Sequence, residues 1–283
     1  MSGRLASIHK LSVPAIALIA LAVLVSPTRA SDADAFAKAI KDVGPCLVTV
    51  KYLLKVSAGG RDQDVEREVT GIMIDPKGLV LLSNFQLSDF IKFLSKPGGA
   101  VMEGRPTNFK VLVGADTSGV EAALIATDPV LDLAWLRITK PPEMPYAFLD
   151  FSKGQLPAVG QRLLVVRRLG KAFDRTVLVS DVSMGGIIHK PRELLVPSTI
   201  APALLGLPVV SADGSGSAVG LIVVQVPESG ENGQKATLDE GAGLILPAAE
   251  VVKATQRIEA SGEGAATSPA GAGVPVPATQ PSK

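Results

Sequence analysis

Histidine, cysteine and aromatic side chains are scarce in this chain of 283 residues, which has two histidines, one cysteine and only 4% Phe, Trp and Tyr together. A single cysteine, Cys46, excludes an intrachain disulfide and with it a small stapled scaffold. Its expected place is a buried strand position, where a thiol behaves as a small apolar side chain. His9 and His189 with that one thiol cannot complete a tetrahedral set of nitrogen and sulfur ligands, so no metal site and no cofactor is expected. An excess of one charge is lacking as well. The formal charge is +1, and residues 1–30 hold Arg4, Lys10 and Arg29 but no acid, which leaves 25 basic against 27 acidic residues in the rest. Nucleic acid is therefore not an expected partner.

What the chain does have is aliphatic material: 47% of residues are hydrophobic, mostly Val, Leu, Ile and Ala. That suffices for a sizeable core and suits short strands packed through branched side chains, so a mostly β body is expected. Residues 1–30 read as a secretory signal, with basic Arg4 and Lys10, an apolar run over residues 11–25 and Thr28-Arg29-Ala30 at the cleavage point. The run is shorter than the roughly 20 residues of a spanning helix, and Pro14 interrupts it. Export, periplasmic or secreted, is the expectation, with no membrane span after cleavage. Residues 31–42 predict a short amphipathic helix capped by Ser31 and stopped at Gly44-Pro45, followed by a first strand over 46–56. Residues 88–94 show apolar side chains at helical spacing, and 108–113 and 120–126 read as strands. Arg162, Arg167 and Arg168 are expected on a solvated strand edge. Residues 259–283, dominated by Ala, Gly, Pro, Ser and Thr, predict a disordered tail.

Three stretches carry more. Thr70-Gly-Ile-Met-Ile-Asp-Pro-Lys-Gly-Leu-Val-Leu-Leu-Ser-Asn-Phe-Gln-Leu87 is two β-type runs joined by Gly/Pro turn chemistry, with Ile72, Ile74, Leu79 and Leu81 on one buried face. Thr127-Asp-Pro-Val-Leu-Asp-Leu-Ala-Trp-Leu-Arg-Ile138 is the second stretch, with two aspartates four residues apart. Thr199-Ile-Ala-Pro-Ala-Leu-Leu-Gly-Leu-Pro-Val-Val210 is the third stretch, followed by the runs at 211–225 and 241–252.

Together these stretches resemble the protease domain of trypsin-like serine proteases of the HtrA type, over about residues 36–258. The resemblance implies an all-β fold of two six-stranded antiparallel barrels, about residues 45–139 and 158–246, closed by a helix at 247–258. No sequence resembling a PDZ domain follows. It also implies that Phe85 stands where the family has its catalytic histidine, Asp132 where it has the triad aspartate and Leu205 where it has the nucleophilic serine. Ala203, Leu204 and Gly206 fall in the oxyanion region; Ala203 and Leu207 replace family glycines, and Gly206 keeps one.

Peptide hydrolysis on this fold needs a nucleophile, a base, an orienting carboxylate and backbone donors for the oxyanion. Of the side chains, only the carboxylate is kept, because Phe85 and Leu205 have no proton to give or accept. None of these residues is expected to be catalytic. The implied function is that of an inactive homologue acting on a protein or peptide partner, through binding or as a structural subunit. The alternative is an active serine endopeptidase with displaced residues, for which His189 and Ser215 or Ser217 in Asp213-Gly-Ser-Gly-Ser217 are the candidates, although the serine run also reads as an ordinary turn. Asp132, without an imidazole beside it, is expected to draw donors from Ser83 and Asn84. Phe85, Leu204, Leu205 and Leu207 are expected either to plug the cleft or to hold an apolar partner segment.

Overall fold

The computed structural model describes residues 32–58, 61–89, 103–199, 204–225 and 242–266. The signal segment 1–30, Ser31 as a cap, residues 90–94 of the expected helix, Ala203 and the tail beyond Ala266 lie outside the described residues.

Helix α1 (Asp32–Val43) leads into the first six strands: β1 (Leu47–Ala58), β2 (Arg61–Met73), β3 (Leu79–Ser83), β4 (Glu103–Val113), β5 (Val120–Asp128) and β6 (Leu133–Ile138). They close into an antiparallel barrel in the order β1-β2-β3-β6-β5-β4. A second closed barrel repeats that order as β10-β11-β12-β9-β8-β7. Its strands are β7 (Arg162–Arg168), β8 (Val177–Ile188), β9 (Leu194–Pro197), β10 (Pro208–Ser211), β11 (Ala218–Val224) and β12 (Ala242–Pro247), and helix α2 (Ala248–Ala266) follows. This is the expected all-β fold, two closed six-stranded antiparallel barrels with a C-terminal helix.

Strand alternation divides the core into three bodies. In β3 all five residues are buried, because Val80 and Leu82 point into the first barrel while Leu79 and Leu81 point into the layer between the barrels. Ile72 and Trp135 share that layer with α1's Ala35, Ala39 and Val43 and with α2's Val251 and Ala254. Trp135 Nε1 also donates to Thr255 Oγ1 at 3.1 Å, which ties α2 to the first barrel.

The β2–β3 connection shows how the turn residues act. The Asp75 carboxylate accepts from the Lys77 and Leu79 amides at 2.9 and 2.6 Å, and Gly78 takes a φ of 97°. A Cβ on Gly78 would come within 2.9 Å of the Ile138 Cβ. Gly78→Ala is therefore expected to lower stability by about 2 kcal/mol, from the φ penalty and the contact together. Urea unfolding measures it.

Several local expectations change in the folded chain. Cys46 closes the 3-10 turn Gly44–Cys46 rather than opening the strand, because Pro45 at the start of that turn favours a helical first residue. Its thiol is buried, lies 3.4 Å from the Asp42 carbonyl and is pushed up to about 11 by burial and then by the Asp42 charge. Raising a thiol's pKa favours the neutral form, so this stability is present below pH 9 and is lost as pH rises from about 9 toward 11. Cys46 is accordingly expected to react with a disulfide reagent at pH 8 many-fold faster in denaturant than in buffer.

Strand β7 is not a solvated edge. It pairs with β8 on one side and β10 on the other, because the barrel closes. Arg162 bonds to Asp32 and Asp181 and lies over the Phe36 ring, while Arg168 donates to the carbonyls of Gly44 and Arg175. Helix α2 extends to Ala266, eight residues past Ile258. Glu259 and Ala260 favour helix, and extending an existing helix needs no new nucleus. Among the described residues no helix is long and apolar enough to cross a membrane.

Candidate functional site

Asp132 is the residue around which the two barrels meet. It precedes β6, adopts a φ of 58° that aspartate tolerates better than most residues, and is 2% exposed. The preceding turn is set by Asp128, whose Oδ1 accepts from the amides of Val130 and Leu131 at 3.1 and 3.0 Å. Opposite, Ser83 ends β3 in register with Leu133, which brings the chain at 83–86 alongside Asp132.

Donors from both barrels converge on the carboxylate. Ser83 Oγ lies 3.0 Å from Oδ1 and 2.9 Å from Oδ2, and the Phe85 amide donates to Oδ1 at 2.7 Å. The Val224 amide, at the end of β11 in the second barrel, donates to Oδ2 at 2.8 Å. Each of these bonds satisfies a buried polar group, and together they hold the carboxyl in place between the barrels. Ser83 is thus a donor as the sequence predicts. Asn84 reaches the same residue through its backbone, its amide donating to the Asp132 carbonyl at 3.2 Å.

A second bond crosses the same junction. After Ser83 the chain turns through one π-helical turn, Phe85–Asp89, and Gln86 Nε2 donates to the Leu205 carbonyl at 2.9 Å. Tyr52 Oη holds the Gln86 carbonyl at 2.9 Å. Gly206 has a φ of 74°, and a Cβ there would lie 3.0 Å from Gln86 Oε1 and 3.2 Å from the Ser83 Cβ. The glycine lets the loop of the second barrel lie directly on the first.

Sequence positions 85, 132 and 205 therefore come together in space. Phe85 touches Asp132 through its own amide, and Leu205 is joined to the next residue, Gln86. The apolar side chains pack inward: Leu205 and Leu207 are buried with Val209, Val219 and Ile222, and Phe85 and Leu204 close over them half-buried. Of the two expectations for these side chains, the folded chain takes the plugged one. Backbone donors nearby are occupied as well, since the Gly206 amide donates to Ile222 O at 2.7 Å and the Leu207 amide to Leu204 O at 3.2 Å.

The candidates for a displaced site are placed elsewhere. His189 is exposed between β8 and β9. Ser215 and Ser217 lie in the turn between β10 and β11, where Asp213 Oδ1 accepts from the Ser215 amide at 2.8 Å and Ser215 Oγ from the Ser217 amide at 3.1 Å. Gly214 and Gly216 both have positive φ there, so the Asp-Gly-Ser-Gly run serves turn geometry. Among the described residues no group of three or more His, Cys, Asp or Glu could hold a metal ion.

Sequence reasoning missed two of the ties around Asp132 and Leu205. Val224 donates through its backbone, which no side-chain pattern marks, and Gln86 is a lone polar residue between Phe85 and Leu87 whose role depends on Leu205, more than a hundred residues away.

No family model matches the chain, and no curated protein matches it. Among solved structures it is similar to the MamO protease domain of Magnetospirillum magneticum in its apo form, at 19% identity and a TM-score of 0.45, over 75% of this chain and 96% of that one.

Proposed function

We propose that this chain is an exported, catalytically inactive homologue of the HtrA-type serine proteases that acts by binding a protein or peptide, or as a structural subunit. The observation that supports it is the surrounding of Asp132: amides and a serine hydroxyl meet the carboxylate, including a donor from the opposite barrel. A carboxylate that orients an imidazole during acyl transfer needs that imidazole in hydrogen-bond reach. Here the residue at the corresponding position is Phe85, and the position read as the nucleophile is Leu205, 5% exposed in an apolar cluster. The carboxylate then works as a clamp between the barrels. With the cleft filled, a partner is met by surface loops. The pattern of residues 1–30 supports export, and the near-neutral charge argues against nucleic acid.

The test is covalent labelling. The purified protein, treated with a fluorophosphonate probe and weighed intact, is expected to gain no mass. An adduct that disappears with Ser215→Ala or Ser217→Ala would establish the displaced-site endopeptidase instead. Export is read separately by N-terminal sequencing of protein recovered from the exported fraction, which is expected to begin at Ser31.

A further inference from the structure

A cavity of about 1320 Å³ opens away from Asp132, at the seam between the first barrel, the segment linking the barrels and the distal half of α2. Its apolar walls are Ile125 on β5, Ile138 on β6, Pro141 and Pro145 of the linking segment, and Ile258 on α2. Ile125 is 47% exposed, and Met144, between Pro142 and Pro145 in the chain, is 78% exposed. The walls carry two acids and two bases: Arg137 bonds to Asp75 at 2.6 Å and lies 3.8 Å from Glu259, and the exposed Lys77 is the second base. Such a groove offers apolar surface between charges that sum to zero, and so favours a neutral, apolar occupant over a charged one.

We infer that this groove is a docking site for the chain's own C-terminal segment, centred on Val274-Pro275-Val276-Pro277. Residues 267–282 carry no charged side chain, which matches a groove whose two acids and two bases leave no net charge. The segment is tethered at the site, because α2 supplies Ile258, Glu259 and Ser261 to the wall and runs on to Ala266. From Ala266 to Val274 the chain can span up to about 26 Å when extended. Pro269, Gly271 and Gly273 lie within that span, where a reversal of direction is needed. Alternating prolines pre-set an extended left-handed conformation and lower the entropy lost on docking. A short tether gives an effective concentration on the order of millimolar, so an intrinsic dissociation constant of about 0.1 mM keeps the groove mostly occupied.

The experiment compares the full chain with a chain ending at Ala266, using amide NMR shifts of Ile125, Ala126 and Ile138 and titration with a synthetic peptide of residues 267–283. Truncation is expected to move those three amides. The peptide is expected to return them in the truncated protein, with a dissociation constant of about 0.1 mM, and to bind the full chain at least about tenfold more weakly because the tethered copy competes. Ile125→Lys, at an exposed position that leaves the core intact, is expected to abolish binding of the peptide. Identical shifts in the two chains with no peptide binding would overturn the inference, as would binding that survives Ile125→Lys. Shifts that follow protein concentration but not truncation would assign the groove to a second copy of the chain, which also overturns it.

Discussion

Replacing Asp132 by alanine is expected to cost the folded protein about 3 to 5 kcal/mol in urea unfolding at pH 7, because several buried donors lose their acceptor at once. The loss comes from what stays behind. The amides of Phe85 and Val224 and the hydroxyl of Ser83 would face a small cavity with their acceptor gone, and each buried donor left unsatisfied costs roughly 1 to 3 kcal/mol. Because Val224 belongs to the second barrel and Phe85 to the first, the variant is also expected to loosen the junction before global unfolding, seen as faster hydrogen exchange at both amides. Asp132→Asn separates charge from shape. Its amide oxygen can accept at one side, but its NH2 would point a donor at another donor, so it is expected to recover only part of the loss. A variant as stable as the parent would show that the carboxylate is not the tie between the barrels.

An equally large effect is expected at Leu205. Leu205→Asp places a carboxylate among the apolar side chains of Leu207, Val209, Val219 and Ile222, and is expected to cost roughly 4 kcal/mol or more. Leu205→Ala, which only removes volume, is expected to cost about 2 to 5 kcal/mol, according to how far the loop around Gly206 collapses. The practical consequence concerns binding studies. A partner lost with Leu205→Asp would report on folding, so a binding surface has to be sought with variants of exposed residues instead. Chemical denaturation of the two Leu205 variants tests this directly. If Leu205→Asp unfolded at the denaturant concentration of the parent, the side chain would be solvent-facing and the cleft open.

Much of this molecule is legible in the order of its residues. Asp75-Pro76-Lys77-Gly78 between two apolar runs dictates a hairpin, since the aspartate caps the turn amides and only glycine takes the φ of 97° at low cost. Alternation along 79–83, with both faces apolar, requires a strand buried on two sides, and a barrel packed against a second barrel provides that. The lack of a titratable side chain at Phe85 and Leu205 is likewise a matter of chemistry, independent of where they lie. These features are local or compositional, so the chain states them without reference to its fold.

Other features depend on distant segments meeting. Whether Phe85, Leu204, Leu205 and Leu207 would plug a cleft or line an open one depends on how closely the loop at 204–207 approaches Ser83 and Gln86, and Gly206 permits that approach. That Asp132 would draw a donor from Val224 follows from the end of β11 lying across the barrel junction, since a backbone amide has no signature in sequence. Arg162, Arg167 and Arg168 read as a solvated edge because local spacing cannot reveal that β7 has a partner on both sides. Local periodicity sets which residues face inward, whereas barrel closure and the meeting of two barrels set what each of them touches.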